Sequence, residues 1–402
     1  TIGTRAPGGG GAAVGCGGQG AAGGAIAAVG GGGAGGVGAG GDGGSGGSGG
    51  AIQTCMDHGD CDSALCLEGI CAQAVHVSAG VAHACVATDA GSAFCWGQNG
   101  NGQLGDGTQN SSAVPVPVAL AESVATVACG RRRDGGNDSH TCALTTSGAV
   151  YCWGRNNYGQ LGLGDQVNTS TPTLVALDDV VELVAGGDHT CARTGVGAVY
   201  CWGRNAEGQI GIGPGPEQRT PQLVIAGGVM QIAVGQYHSC ALQDDGVLLC
   251  WGRNNEWQLA ATSPNEIPTP TVVPLEPVDE IAAGRGFTCA RPGTRAVLCW
   301  GANADGQLAN GNTTPQADPV VTTLAGATGL SLGGTKSSTS QSTPDTVSAL
   351  DPFAQISAGS DFTCGRTTEG AVRCWGRNTE GQLGGGSTSG QVQAAPQPVA
   401  WP

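Results

Sequence analysis

The 402 residues hold little that an enzyme, a membrane protein or a nucleic-acid binder would need. No run of 18 apolar residues occurs, so the chain offers no candidate for a membrane-spanning helix. Only 12% of residues are charged, and the formal net charge is −15 with a pI near 4.6. An acidic surface repels phosphate backbones, which argues against direct nucleic-acid binding. No Ser/His/Asp order, paired-carboxylate motif or His-Glu-x-x-His stretch appears. The sequence therefore predicts no catalytic residue, no cofactor and no bound metal. Aromatic residues are scarce as well: 8 Trp, 4 Tyr and 4 Phe.

What the chain has instead is 76 glycines, 18 cysteines and a repeat. Residues 1–50 are mostly Gly with Ala and Ser, too apolar-poor to offset the entropy of ordering, and read as a disordered tether. Phosphate-loop or nucleophile-elbow matches inside it follow from composition alone. Ala13-Val14-Gly15-Cys16 faintly resembles a lipoprotein cleavage site, although no apolar run precedes it. Residues 51–73 form a second unit, in which Cys55, Cys61, Cys66 and Cys71 predict a two-disulfide knot. Asp57, Asp60 and Asp62 do not fit a calcium loop, and zinc is the weaker alternative to disulfides.

From residue 74 to 402 one pattern recurs. His140-Thr141-Cys142 leads through Ser147-Gly148 to Cys152-Trp153-Gly154 and then Gly159-Gln160-Leu161-Gly162. Its tryptophans are Trp96, Trp153, Trp202, Trp251, Trp300 and Trp375, with a spacing near 49 that marks a repeat architecture. Within each copy the cysteines stand ten apart, on either side of a three-residue hairpin loop. Folding there sets Cys142 across from Cys152, within disulfide reach. The same holds for Cys85 and Cys95, Cys191 and Cys201, Cys240 and Cys250, Cys289 and Cys299, and Cys364 and Cys374. Zinc is disfavoured, because Cys-x9-Cys lacks the close clip of structural zinc sites. Cys16 and Cys129 are left unassigned, and the cysteine usage as a whole belongs to an oxidising compartment.

Strand parity sends Val150 and Cys152 to one face of their sheet and Tyr151 and Trp153 to the other. A strand apolar on both faces must be covered on both, as in a propeller blade between two neighbours. A strand such as Val180–Ala185 before each hairpin, and a Pro-flanked strand such as 172–175 after it, complete four strands per repeat. The class is all-β. The first copy has no Pro-flanked strand ahead of it, and 395–400 has that strand's pattern with no hairpin after it. The C-terminal strand is therefore expected to pair with the first blade and close the ring. About 26 surplus residues separate the fifth and sixth copies; they read as a decayed seventh blade, with a six-bladed ring plus an insertion as the alternative.

The string His-Thr-Cys-Ala-Leu through Val-x-Cys-Trp-Gly-x-Asn-x-x-Gly-Gln-Leu-Gly resembles the repeat of the RCC1 (regulator of chromosome condensation) family, whose superfamily includes the secreted β-lactamase inhibitory protein II. The resemblance implies a seven-bladed propeller. Cysteine at both hairpin positions departs from the eukaryotic pattern and suggests a secreted, myxobacterial-like variant.

Features present in every blade are explained by packing, so function is sought where blades differ. In the last two copies Phe287 and Phe362 are read as standing one place ahead of the His site, with Thr288 and Thr363 in it. A ring of loops between each Ala-Gly and each Cys carries Arg131, Arg132, Arg133, Asp188, Gln236, Tyr237, Arg285, Phe287, Asp361 and Phe362. Arg, Tyr and Phe gathered on one face have the composition of a protein-binding surface, against the alternative of a solvated rim. The expected function is an extracellular or surface-tethered, non-enzymatic protein-binding scaffold, monomeric, whose partner is a protein on or outside the cell. Guanine-nucleotide exchange and hydrolysis of surface polysaccharide are the two alternatives.

Overall fold

A computed structural model describes residues 65–67, 70–131, 139–293, 297–304, 306–322, 353–359 and 361–401. Six four-stranded antiparallel sheets, each contiguous in sequence, account for nearly all of them. The innermost strands are Ala74–Ala79, Val124–Cys129, Val180–Ala185, Val229–Val234, Glu280–Ala283 and Phe353–Ala358. Residues of all six line one central cavity of about 320 Å³, so the sheets are blades about a common axis. The outer strands are Ser112–Pro117, Thr169–Leu174, Gln218–Ile225, Glu266–Val272, Gln316–Val321 and Ser389–Pro398. Their prolines fall where a missing N–H does no harm. The expected decayed blade and the tether lie outside the described residues. So do Cys55 and Cys61; Cys71, opposite Cys66 in a short antiparallel pair, is disulfide-bonded.

Two expectations are corrected. The C-terminal strand pairs with Val372–Asn378 of its own blade, and blade 1 takes its outer strand from Ser112–Pro117, after its own hairpin. The ring closes by packing instead. Trp96 Nε1 donates to the Gln382 carbonyl at 2.9 Å, and Val77 N and Ala79 N donate to the Gln355 and Ser357 side chains of blade 6. Val399 and Trp401 pack with Phe94 and Trp96. Phe287 also occupies the His site itself: it pairs with Gly301 as His83 pairs with Gly97, and Phe362 pairs likewise with Gly376.

The hairpins have the expected register. Cys142 lies opposite Cys152, and all six hairpin pairs are disulfides with Cα–Cα of 4.1 Å. Gly148 supplies the left-handed loop residue at φ 86°. Parity also holds, because five of the six hairpin disulfides are packed by the next blade's tryptophan, as Cys142 and Cys152 are by Trp202 and Cys240 and Cys250 by Trp300. Each such indole donates to the glutamine carbonyl of the preceding Gly-Gln-Leu turn, as Trp153 does to Gln103 at 2.9 Å. Among the described residues no core cluster joins blade 5 to blade 6; Trp375 is half-buried where its five counterparts are 0% exposed.

The histidines are the second tie between blades. His83, His140, His189 and His238 each place Nε2 2.8–3.0 Å from a hydroxyl of the next blade: Thr141, Thr190, Ser239 and Thr288. Each hydroxyl already donates to a glutamine carbonyl, so it accepts from the imidazole, which fixes the Nε2–H tautomer. Among the described residues the Nδ1 atoms have no partner, and they face glycines; an added Cβ at Gly80 would stand 2.8 Å from His83 Nδ1.

Cys129 is a buried free thiol whose Sγ contacts the Ser78 carbonyl at 3.4 Å. Burial pushes its pKa up to about 12, so thiolate is absent near neutrality. It should resist iodoacetamide in the native protein and react after unfolding; mass spectrometry of an alkylated native sample showing labelled Cys129 would contradict the placement.

Candidate functional site

Connections between the first and second strands, and between the third and fourth, leave each blade at the same end. The second kind is shaped by a buried asparagine: Asn156 Oδ1 accepts from Leu161 N, and its Nδ2 donates to the Asp165 carbonyl. Asn99, Asn205, Asn254, Asn303 and Asn378 repeat the first of these bonds. These loops carry the residue after Cys-Trp-Gly, which is Arg155, Arg204 and Arg253 in blades 2 to 4.

Those three arginines and two tyrosines form a stack across the face. The Arg155 and Arg204 guanidinium carbons lie 5.7 and 5.3 Å from the Tyr158 ring centre, and those of Arg204 and Arg253 lie 5.1 and 5.4 Å from that of Tyr237. Asp188 sits within the stack, its side chain 1% exposed. Its Oδ1 is 3.3 Å from Arg155 Nη1, and its Oδ2 is 3.7 Å from Arg204 Nη1. Burial is tolerated because the carboxylate is bracketed by two cations. Arg204 also meets Glu207 at 2.9 Å. In blade 6 the equivalent pair is Arg377 with Asp361, at 3.4 Å.

Between blades 4 and 5 the face opens into a cavity of about 220 Å³. Tyr237, Arg253, Glu256 and Arg285 lie on its walls, and Arg285 Nε donates to Gln236 at 2.8 Å. Beside it stands Trp257, 37% exposed and at φ 63°, where the other blades have a Gly in this turn. A bulky residue held in the left-handed region costs about 1–3 kcal/mol and persists chiefly at functional sites.

The ring of residues expected from sequence is thus only partly a surface. Phe287 and Phe362 are each 3% exposed, Phe287 in the core of its own blade and Phe362 in the core between blades 6 and 1; Asp188 is an internal counter-ion. Tyr237, 6% exposed, presents little beyond its stack, while Gln236 and Arg285 join at the cavity. Arg131 is half-buried, its N–H donating to the Gly186 carbonyl; Arg132 and Arg133 lie outside the described residues. The residues missed are Arg253, Trp257 and Gly286. Trp257 alone left a signal, because the fourth copy reads Trp257-Gln258-Leu259-Ala260 where the pattern is Gly-Gln-Leu-Gly.

His83, Cys85 and Cys129 lie close enough together to suggest a metal site. The chemistry does not fit. Cys85 is bonded to Cys95, Cys129 is a protonated thiol, and His83 Nε2 is committed to Thr141.

A model of the RCC1-like domain matches residues 36–401. Among curated proteins, human probable E3 ubiquitin-protein ligase HERC4 is 39% identical over 106 residues, which is 26% of this chain and 9% of that protein. Mouse protein RCC2 is 39% identical over 105 residues, 26% of this chain and 19% of that one. The chain thus spans less than a fifth of the length of these relatives. Among solved structures, human WBSCR16 superposes with a TM-score of 0.57 at 23% identity, covering 84% of this chain and 87% of that one. Yeast RCC1 (Prp20), crystallised bound to Kap60, gives 0.55 at 20% identity over 81% and 74%. These likenesses establish the propeller fold.

Proposed function

This chain belongs to the RCC1-like domain family, and from that premise we propose that it is a non-enzymatic, protein-binding propeller working outside the cell or on its envelope. One observation carries the reading. At the junction of blades 4 and 5 the Gly-Gln-Leu-Gly turn is broken by Trp257, 37% exposed, which stands in sequence between Glu256 and Gln258 of a cavity wall that Arg253 and Tyr237 also line. Trp, Tyr and Arg are the side chains that dominate binding energy at protein interfaces. The family offers a precedent: the yeast relative was solved with Kap60, and its binding to Gsp1p and histones has been studied. Six buried disulfides favour an oxidising compartment.

A photo-crosslinking amino acid placed at Trp257 and, in a second variant, at Ser147 on the opposite face tests the proposal in the native producing culture. The expected result is a discrete protein adduct from position 257 and none from 147. Equal labelling from both positions, or adducts to glycan only, would overturn it.

A further inference from the structure

The stack of arginines holds a carboxylate at one junction and lacks it at another. Asp188 accepts the Arg204 N–H at its own carbonyl, and its side chain stands between Arg155 of blade 2 and Arg204 of blade 3. In blade 5 the same backbone bond runs from Ala302 N to Gly286 O, so Gly286 is the equivalent of Asp188 and Ala302 of Arg204. Arg253 of blade 4 is the equivalent of Arg155. The arginine of the preceding blade is therefore kept, while its carboxylate and the second arginine are reduced to Gly and Ala. The 220 Å³ cavity occupies the space they leave.

Arg253 confirms the vacancy chemically. Its guanidinium stacks on Tyr237 at 5.4 Å, but its side chain makes no ion pair or hydrogen bond among the described residues, and its Nε is buried. Glu256 lines the same cavity without forming an ion pair to it. Nor does the backbone call for glycine at 286. An added Cβ would meet Ala302 Cβ and Glu256 Cγ at 3.5 Å, an ordinary contact, and φ lies outside the left-handed region.

We infer that this cavity is a carboxylate-binding subsite, in which an Asp or Glu side chain of the protein partner takes the place that Asp188 holds two junctions earlier. A planar guanidinium stacked on an aromatic ring presents its N–H fork to such a group. The exposed Trp257 beside it supplies apolar area for the polypeptide carrying the acid, which favours a partner side chain over a free acid. The inference rests on the protein-binding reading above.

The test is an NMR titration of the full chain, following the arginine Nε–Hε resonance that disappears in Arg253→Gln. The probes are a capped Gly-Glu-Gly-Glu-Gly peptide, its Gln counterpart and sodium acetate. The Glu peptide should shift the resonance saturably, and the other two should need at least tenfold higher concentrations. In Gly286→Asp, which supplies the carboxylate internally, the resonance should start displaced and respond at least tenfold more weakly, with the thermal melt preserved. An unchanged response in Gly286→Asp, or no response to the Glu peptide, overturns the subsite. Acetate acting at the peptide's concentration overturns the partner side chain as its occupant. Crosslinking from position 257 that survives Gly286→Asp would leave the docking face standing and remove this assignment alone.

Discussion

Acidification from pH 7 to pH 5 should remove roughly 8 kcal/mol from the stability of the propeller, through four histidines alone. His83, His140, His189 and His238 are held neutral by burial, which lowers each pKa from 6.5 to about 3. For His140 the neighbouring His83 and Arg155 add to the effect, and for His189 so do His238 and His140. The physical cause is visible in the bonding. Nε2 already carries the proton that ties the ring to the next blade, so a second proton must go to Nδ1, which faces a glycine wall with no acceptor. The unfolded chain titrates near 6.5 and the folded one near 3, so between those values the unfolded state binds more protons. Stability is complete above 6.5 and is lost as the pH falls; at pH 5 each histidine contributes a loss of about 2 kcal/mol. His76, lowered to about 4 by burial and then by Arg366, acts in the same direction. Urea midpoints at pH 7 and pH 5 measure the difference. Replacing the four histidines by Phe, as at positions 287 and 362, should flatten the profile, because each hydroxyl keeps its glutamine carbonyl. A flat profile in the unsubstituted protein would refute the account.

The same residues show what could be read in advance. The hairpin register of Cys142 and Cys152 followed from spacing, because two residues equidistant from a Gly loop must meet across an antiparallel pair. The face assigned to Trp153 followed from alternation. Closure did not. Every hairpin after the first has a Pro-flanked strand both before and after it, and order alone does not say which one it pairs with; the ring resolves the choice by sequence-contiguous blades. The Phe287 site was misplaced by one residue, and the cost was functional: a core residue standing in for an inter-blade histidine was assigned to the surface. Asp188 was misjudged for a related reason. A lone acidic residue in a loop reads as solvated, and only the crossing of two blades brings Arg155 and Arg204 to bracket it. The junction of blades 4 and 5 was legible in part. Trp257 and Ala260 break the turn consensus in sequence, whereas the meaning of Gly286 depends on knowing what its counterpart contacts.

Reduction of the six hairpin disulfides should unfold the domain at 37 °C even at neutral pH. Each closes a loop of about 11 residues, for which the chain-entropy model gives an upper figure of roughly 2.5–3 kcal/mol. Six such terms approach or exceed the 5–15 kcal/mol by which a typical domain is stable. The hairpin cysteines are at most 2% exposed, so a reductant gains access only when a blade opens. Native protein in millimolar dithiothreitol should therefore hold its disulfides for hours, and a concentration of urea that is harmless to the oxidised form should become denaturing once reductant is added. The order of reduction carries further information. Cys142–Cys152 lies beneath Trp202, and Cys364–Cys374 packs with Trp96. Cys289–Cys299 clusters with Phe287, Val297 and Leu308 of its own blade and, among the described residues, with no tryptophan of the next. It should open first, because the opening that exposes it breaks the fewest inter-blade contacts. Timed alkylation followed by peptide mass mapping would give the sequence of events. Simultaneous loss of all six would mean that the ring opens only as a unit, and free thiols at Cys142 and Cys152 in freshly isolated protein would remove both this stabilisation and the extracytoplasmic assignment that depends on it.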